Sequence, residues 1–134
     1  MSLDLVDLIT IQQLYARYCH IVDDADGVSF RQCFTPDGTL AVGDRVIEGA
    51  AELERFGNRM ARRLRGIRHA VLNVALVGDG DVAEGRAYGI TYGTEGDLSL
   101  QFTGRYTDDL LRLDGEWLFS RRQFRPDGAP SDPD

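Results

Sequence analysis

In the first part of the chain, Leu8, Ile11, Leu14, Tyr15, Tyr18, Cys19 and Val22 recur at three- and four-residue steps. That spacing predicts one amphipathic helix from about Asp4 to Asp24. Asp24-Ala25-Asp26-Gly27 ends it, and Val28 to Cys33 reads as a short second helix. Thr35-Pro36-Asp37-Gly38 has turn chemistry, and Thr39–Val42 with Arg45–Glu48 forms a small hairpin around Gly43-Asp44. Gly49 to Leu64 is a third helix with Leu53, Phe56 and Met60 inward. The pattern then switches to β. Ile67–Val77, Val82–Thr94, Leu98–Leu113 and Glu116–Phe124 are four long strand candidates. Gly78-Asp79-Gly80-Asp81, Glu95-Gly96-Asp97 and Asp114-Gly115 between them are hairpin turns, so the strands should form an antiparallel meander. Helices first and strands second predict an α+β fold, with a curled sheet whose concave side, covered by helices, can hold a cavity.

With 134 residues, the chain is one domain's worth. We expect a single domain over residues 1–125 and a Pro- and Asp-rich frayed tail over 126–134. No uncharged apolar run approaches the roughly 18 residues of a membrane span. The first basic residue is Arg17, so no charged leader start is visible and a cytoplasmic location is the expectation. The net charge of −7 disfavours nucleic acid and anionic membrane as partners. All 15 basic residues are arginine, which excludes Schiff-base, pyridoxal-phosphate and Walker-type chemistry, each of which needs a lysine. Two histidines and two cysteines cannot build a three-His or four-Cys zinc site. Cys19 and Cys33 are expected to be reduced and buried. No metal and no cofactor is expected.

Candidate chemistry centres on His69. Strand alternation places Ile67, His69, Val71 and Asn73 on one face, and two polar side chains there are unusual for a core face. His69 reads either as a satisfied core histidine or as a general acid/base. Asp23 stands four residues after Cys19 and can share a side with Tyr18 on the apolar stripe. Buried, it would need a partner, and His69 is the obvious one. The other reading makes Asp23, Asp24 and Asp26 a solvated acid cluster. They are not a calcium loop, because the first and last ligand positions would fall on Val22 and Cys33. The arginines from Arg55 to Arg68 read as a solvated face, from which one could close a pocket or bind an anionic substrate tail.

The ordered set Ile11-Gln12-Gln13-Leu14-Tyr15-Ala16-Arg17-Tyr18, Val22-Asp23-Asp24-Ala25-Asp26 and Cys33-Phe34-Thr35-Pro36-Asp37-Gly38 resembles the opening of SnoaL-like domains. Arg68-His69 with Asn73, Gly104-Arg105-Tyr106-Thr107-Asp108, and Asp114-Gly115-Glu116-Trp117 with Arg121-Arg122 continue the likeness, over about residues 4–125. The resemblance implies a cone of three helices on a strongly curved antiparallel sheet, the fold of the nuclear-transport-factor-2-like superfamily. That superfamily holds cofactor-free scytalone dehydratases, ketosteroid isomerases and polyketide cyclases, and also non-catalytic members. In its dehydratases a helix Tyr, an Asp five residues on and a strand His line the pocket, a pattern that Tyr18, Asp23 and His69 match. The second pocket histidine of scytalone dehydratase has no counterpart after His69.

The resulting expectation is a cofactor-independent lyase or isomerase acting on a hydrophobic, oxygenated small molecule such as a steroid or polyketide fragment. Its catalytic residues would be Asp23, His69 and Tyr18. Tyr15, Phe34, Phe56, Met60, Asn73 and Tyr106 would bind substrate. The alternative is a non-catalytic binding module or a dioxygenase small-subunit-like module of the same fold. A homo-oligomer is expected, a dimer before a trimer, because an outer sheet face carrying Tyr88, Ile90 and Tyr92 would otherwise leave a large apolar patch in water.

Overall fold

Residues 2–24 and 26–128 are described by the computed structural model; Met1, Ala25 and most of the expected tail, 129–134, lie outside the described residues. Three helices, α1 (Leu5–Asp24), α2 (Gly27–Arg31) and α3 (Ala50–Arg63), pack against one six-stranded sheet. The strands are β1 (Phe34–Val42), β2 (Arg45–Glu48), β3 (Ile67–Asp79), β4 (Val82–Gly93), β5 (Ser99–Leu113) and β6 (Glu116–Pro126).

Strand order is β2-β1-β6-β5-β4-β3. The small hairpin is therefore not separate from the meander. β1 runs parallel to β6 and joins the two, so the sheet is mixed rather than wholly antiparallel. Hairpin turns could announce every antiparallel pair but not this one, which pairs strands far apart in the chain. β1 also begins earlier than expected, at Phe34. The Thr35–Gly38 turn chemistry survives as a register irregularity between Phe34 and Thr39. β6 runs to Pro126, and Asp127 stays attached beyond it: its carboxylate accepts the Thr103 hydroxyl at 2.7 Å.

Two irregularities set which side chains enter the core. The β3–β4 register shifts between Leu72 and Ala75, where Asn73 adopts φ 56°. Val71 packs against the core before the shift, and Val74 and Leu76 after it. The second lies between Asp109 and Leu110 opposite Ser120, whose hydroxyl donates to the Asp109 carbonyl at 3.1 Å. Trp117 and Phe119 are buried before it, Arg122 after it, so the extra residue sends Arg122 rather than Arg121 inward.

The helices are tied down by specific contacts. Asp4 accepts the Asp7 main-chain N–H at 2.8 Å, capping α1. Asp7 in turn accepts the Trp117 indole N–H at 3.1 Å and an Arg112 N–H at 2.9 Å, which fastens the start of α1 to β5 and β6. Asp26 caps α2 through the Ser29 N–H at 2.8 Å. α2 and α3 touch backbone to backbone. A Cβ on Gly57 would sit 2.7 Å from the Phe30 Cβ and 2.9 Å from the Gly27 Cα, and one on Gly27 would strike the Glu54 carbonyl. Cys19 and Cys33 are buried and unbridged. Among the described residues no helix is long and apolar enough to cross a membrane.

This close approach generates a prediction whose sign opposes helix propensity. Alanine normally stabilises a helix over glycine by about 1 kcal/mol. Gly57→Ala should instead destabilise the protein by about 1–3 kcal/mol, because α2 must be pushed off α3. Urea denaturation checks this, and a variant as stable as its parent would refute the contact.

Candidate functional site

The site starts in the last turn of α1. Tyr18 and Val22 continue the buried stripe of the helix, and Asp23 follows with its side chain only 5% exposed. β3 passes beside this turn. The Asp23 carboxylate accepts the His69 main-chain N–H with both oxygens at 3.1 Å and the His69 Nδ1–H at 2.6 Å. A carboxylate only accepts, so the neutral ring carries its proton on Nδ1 and keeps a lone pair on Nε2. Nε2 has no hydrogen-bond partner among the described residues. Asp24 instead faces Arg68, 3.6 Å away, and Asp26 caps α2. The acidic run that reads as one cluster therefore serves three separate ends.

His69 opens onto a cavity of about 340 Å³ between the helices and the concave face of the sheet. Val22, Leu40, Val42, Phe56, Met60 and Leu64 line the side of the helices and β1. Ala70, Gly89, Ile90, Phe102 and Phe124 line the sheet side. The polar lining is sparse: Tyr18, Arg63, His69, Thr91 and Tyr106. Thr91 is already engaged, since its hydroxyl donates to the Phe102 carbonyl and accepts the Phe102 N–H. The Tyr18 and Tyr106 hydroxyls have no hydrogen-bond partner among the described residues. Burial pushes the Tyr106 phenol up to about 12 and raises Tyr18 well above its ordinary value, so both remain protonated donors at neutral pH.

Beneath these two tyrosines lies Arg122, fully buried. Its guanidinium carbon is 3.7 Å from the Tyr106 ring centroid, 4.2 Å from Tyr18, 4.4 Å from Phe119 and 4.9 Å from Tyr15. Its Nε is 3.2 Å from Asp108 Oδ1, and the Tyr15 hydroxyl donates to Asp108 Oδ2 at 2.5 Å. Desolvation works against the Arg122 charge, yet Asp108 and the three phenols outweigh it and hold the group above its ordinary value. Burial likewise pushes the Asp108 carboxyl up to about 6, while Arg122 and Tyr15 pull the other way. The π faces supply attraction that hydrogen bonds do not: none of the guanidinium nitrogens makes a hydrogen bond within the described residues.

Of the expected site residues, Tyr18, Phe56, Met60, His69 and Tyr106 line the cavity, and Asp23 stands behind His69. Three of the expected substrate contacts fall elsewhere. Asn73 is exposed, because the β3 register shift at that residue breaks the alternation that carried it inward. Tyr15 is buried below the cavity, with its hydroxyl spent on Asp108. Phe34 is core, packed edge-on to Tyr18 and tilted against Phe30 and Phe119. Sequence reasoning named Arg122 and Asp108 only within the motifs of the family resemblance and gave neither a role. The only signal was the Arg121-Arg122 doublet, and strand parity without the Ser120 irregularity cannot choose between its members.

The buried pair generates a two-part prediction. Asp108→Asn strips the counter-charge from a buried guanidinium and should cost about 3–5 kcal/mol. The double variant Asp108→Leu with Arg122→Met removes both charges and should recover most of that loss. Urea denaturation of the three proteins checks it; a double variant no more stable than Asp108→Asn would show that the charges themselves are not the cause.

Known proteins share this fold. No curated protein matches the chain. Among solved structures, a protein of unknown function with a cystatin-like fold from Nostoc punctiforme superposes with a TM-score of 0.89 at 27% identity, covering 96% of this chain and 97% of that one. A function-unknown protein from Mycobacterium tuberculosis gives 0.87 at 34% identity, covering 96% of this chain and 76% of that one. A scytalone-dehydratase-like protein from Novosphingobium aromaticivorans, at 20% identity and a TM-score of 0.81 over 91% and 85% of the two chains, shares the fold. Residues 4–123 match the SnoaL-like domain, and the chain belongs to that family.

Proposed function

We propose that the protein is a cofactor-independent lyase or isomerase that moves a proton on a hydrophobic, oxygenated small molecule, such as a steroid or polyketide fragment. The observation that carries this reading is the 2.6 Å Asp23–His69 contact at the wall of an open, apolar cavity. His69 Nε2 takes a proton from the carbon next to a substrate carbonyl, and the C–H electron pair moves into the enolate. Tyr18, with Tyr106 beside it, donates to the oxygen on which the charge grows. Asp23 holds the ring in the Nδ1–H tautomer and stabilises the imidazolium. The imidazolium then returns its proton, either to a second carbon, completing an isomerisation, or to a departing hydroxyl, which leaves as water. A non-catalytic small-molecule-binding module would need the cavity but not this bonded pair, and a dioxygenase-subunit module would require neither.

The apolar outer face supports a second element of the proposal. Tyr88 and Tyr92 are exposed there, with Leu98 and Leu100 on the neighbouring stretch, while Ile90 of the same alternating set is half-buried and also borders the cavity. Covering this face in a homodimer, or less simply a trimer, would remove it from water.

Two measurements test these statements. With a turned-over substrate in hand, His69→Gln should lose about 10²–10⁴-fold in kcat, because glutamine cannot shuttle a proton. Asp23→Asn should also be damaging, and Tyr18→Phe milder, at about tenfold to a hundredfold. A His69→Gln enzyme with undiminished kcat would leave His69 a structural residue. Separately, light scattering at micromolar concentration should give at least twice the mass of one chain; a monomer mass counts against the dimer.

A further inference from the structure

Among the described residues, Arg63 is the one permanently charged side chain on the cavity lining. It closes α3, where the chain passes from the helix toward β3 and His69. Five of the described arginines find acids: Arg31 faces Glu54, Arg55 pairs with Glu52, Arg68 with Asp24, Arg112 with Asp7 and Asp81, and Arg122 with Asp108. Arg63 makes no ion pair or hydrogen bond among the described residues. Nor is an acid at hand in the local sequence. From Arg55 to Arg68 the chain holds six arginines and no Asp or Glu, although acids outnumber bases 22 to 15 over the whole protein. A segment of six arginines, met from other elements by Asp24 at Arg68 and by the Glu95 carboxyl beside Gly66, therefore borders the mouth of an apolar cavity in an acidic molecule. Low-dielectric walls focus such a potential onto whatever enters.

Resting on the reading of this cavity as a substrate site, we propose that Arg63 recognises an anionic group on the substrate. The ligand class is then a compact apolar carboxylic acid, its ring system among Phe56, Met60 and Ile90 and its carboxylate at the mouth. Inside the cavity a negative charge would meet no compensating cation, since Arg122 lies below the tyrosine floor. At the mouth, the guanidinium can take a carboxylate through two parallel N–H donors. A neutral molecule of the same shape forgoes that contact. The bland explanation for arginines here is that Arg62 and Arg63 complement the negative end of the α3 dipole. That role is shared by both residues, whereas only Arg63 lines the cavity.

The test uses two fluorescent probes with one frame: 8-anilinonaphthalene-1-sulfonate, which is anionic, and N-phenyl-1-naphthylamine, which lacks the sulfonate. Wild type should bind the sulfonate more tightly than the neutral probe, and added salt should shrink the difference. Arg63→Gln should weaken the sulfonate about tenfold and leave the neutral probe within about twofold. Arg62→Gln, with the same change in net charge and in the same turn, should leave both affinities unchanged. Val42→Trp, which fills the cavity from β1, should weaken both probes. The proposal is overturned if wild type shows no preference for the sulfonate, or if Arg62→Gln matches Arg63→Gln. It is equally overturned if Val42→Trp leaves the sulfonate bound as tightly as wild type does. None of these readings depends on turnover, so they stand apart from the outcome at His69.

Discussion

A fully buried guanidinium organises the interior of this protein. Arg122 cannot reach water, and a lone charge there would cost several kcal/mol. Asp108 on β5 offers the counter-charge, Tyr15 on α1 satisfies the far oxygen of that carboxylate, and four aromatic rings surround the cation. The contacts join α1 to both central strands. They also divide the cone. Below, polar and aromatic groups fill the space; above, the cavity stays open. Tyr18 and Tyr106 are the partition, with one face on Arg122 and the other edge of their environment in the cavity.

The partition matters for chemistry because it places charge without exposing it. Apart from Arg63 at the mouth, the cavity wall offers neutral donors and one imidazole, and among the described residues no carboxylate. A cation under the rings pulls the phenols toward stronger donation, while burial keeps them protonated. Developing negative charge on a bound oxygen is therefore met by preorganised groups rather than by water. Asp23 achieves a comparable economy at the other end. One carboxylate fixes both the His69 backbone and its ring, so the orientation of the imidazole does not depend on the ligand.

Space for the cavity comes from the sheet. The inward positions of β4 are Ala83, Gly85, Ala87, Gly89 and Thr91, all small. Gly89 leaves room for the Tyr106 ring, from which an added Cβ would stand only 2.8 Å. Large side chains on the helices and on β1 reach across to that hollow strip. The outer face of the same strand carries Tyr88 and Tyr92, a reversal of the usual core-versus-surface sizes.

Much of this was legible in the chain itself. Helical spacing from Leu8 to Val22, the Gly- and Asp-rich turns and the long alternating strands determined three helices followed by an antiparallel meander, because these signals are local. The Tyr18, Asp23 and His69 pattern was legible through the resemblance to SnoaL-like domains; periodicity put Tyr18 on the apolar stripe and left Asp23 open between an inward acid and a solvated cluster. Tertiary structure alone decided the rest. The parallel β1–β6 pairing joins segments with no turn between them. The shift at Asn73 reversed that residue's face, and the one at Ser120 chose Arg122 over Arg121, because a single extra residue inverts strand parity and leaves no periodic trace. Tyr15 and Tyr18 sit on the same helical stripe, yet one is sealed under Asp108 and the other faces the cavity. What separates them is depth along the cone, which one chain's pattern does not encode.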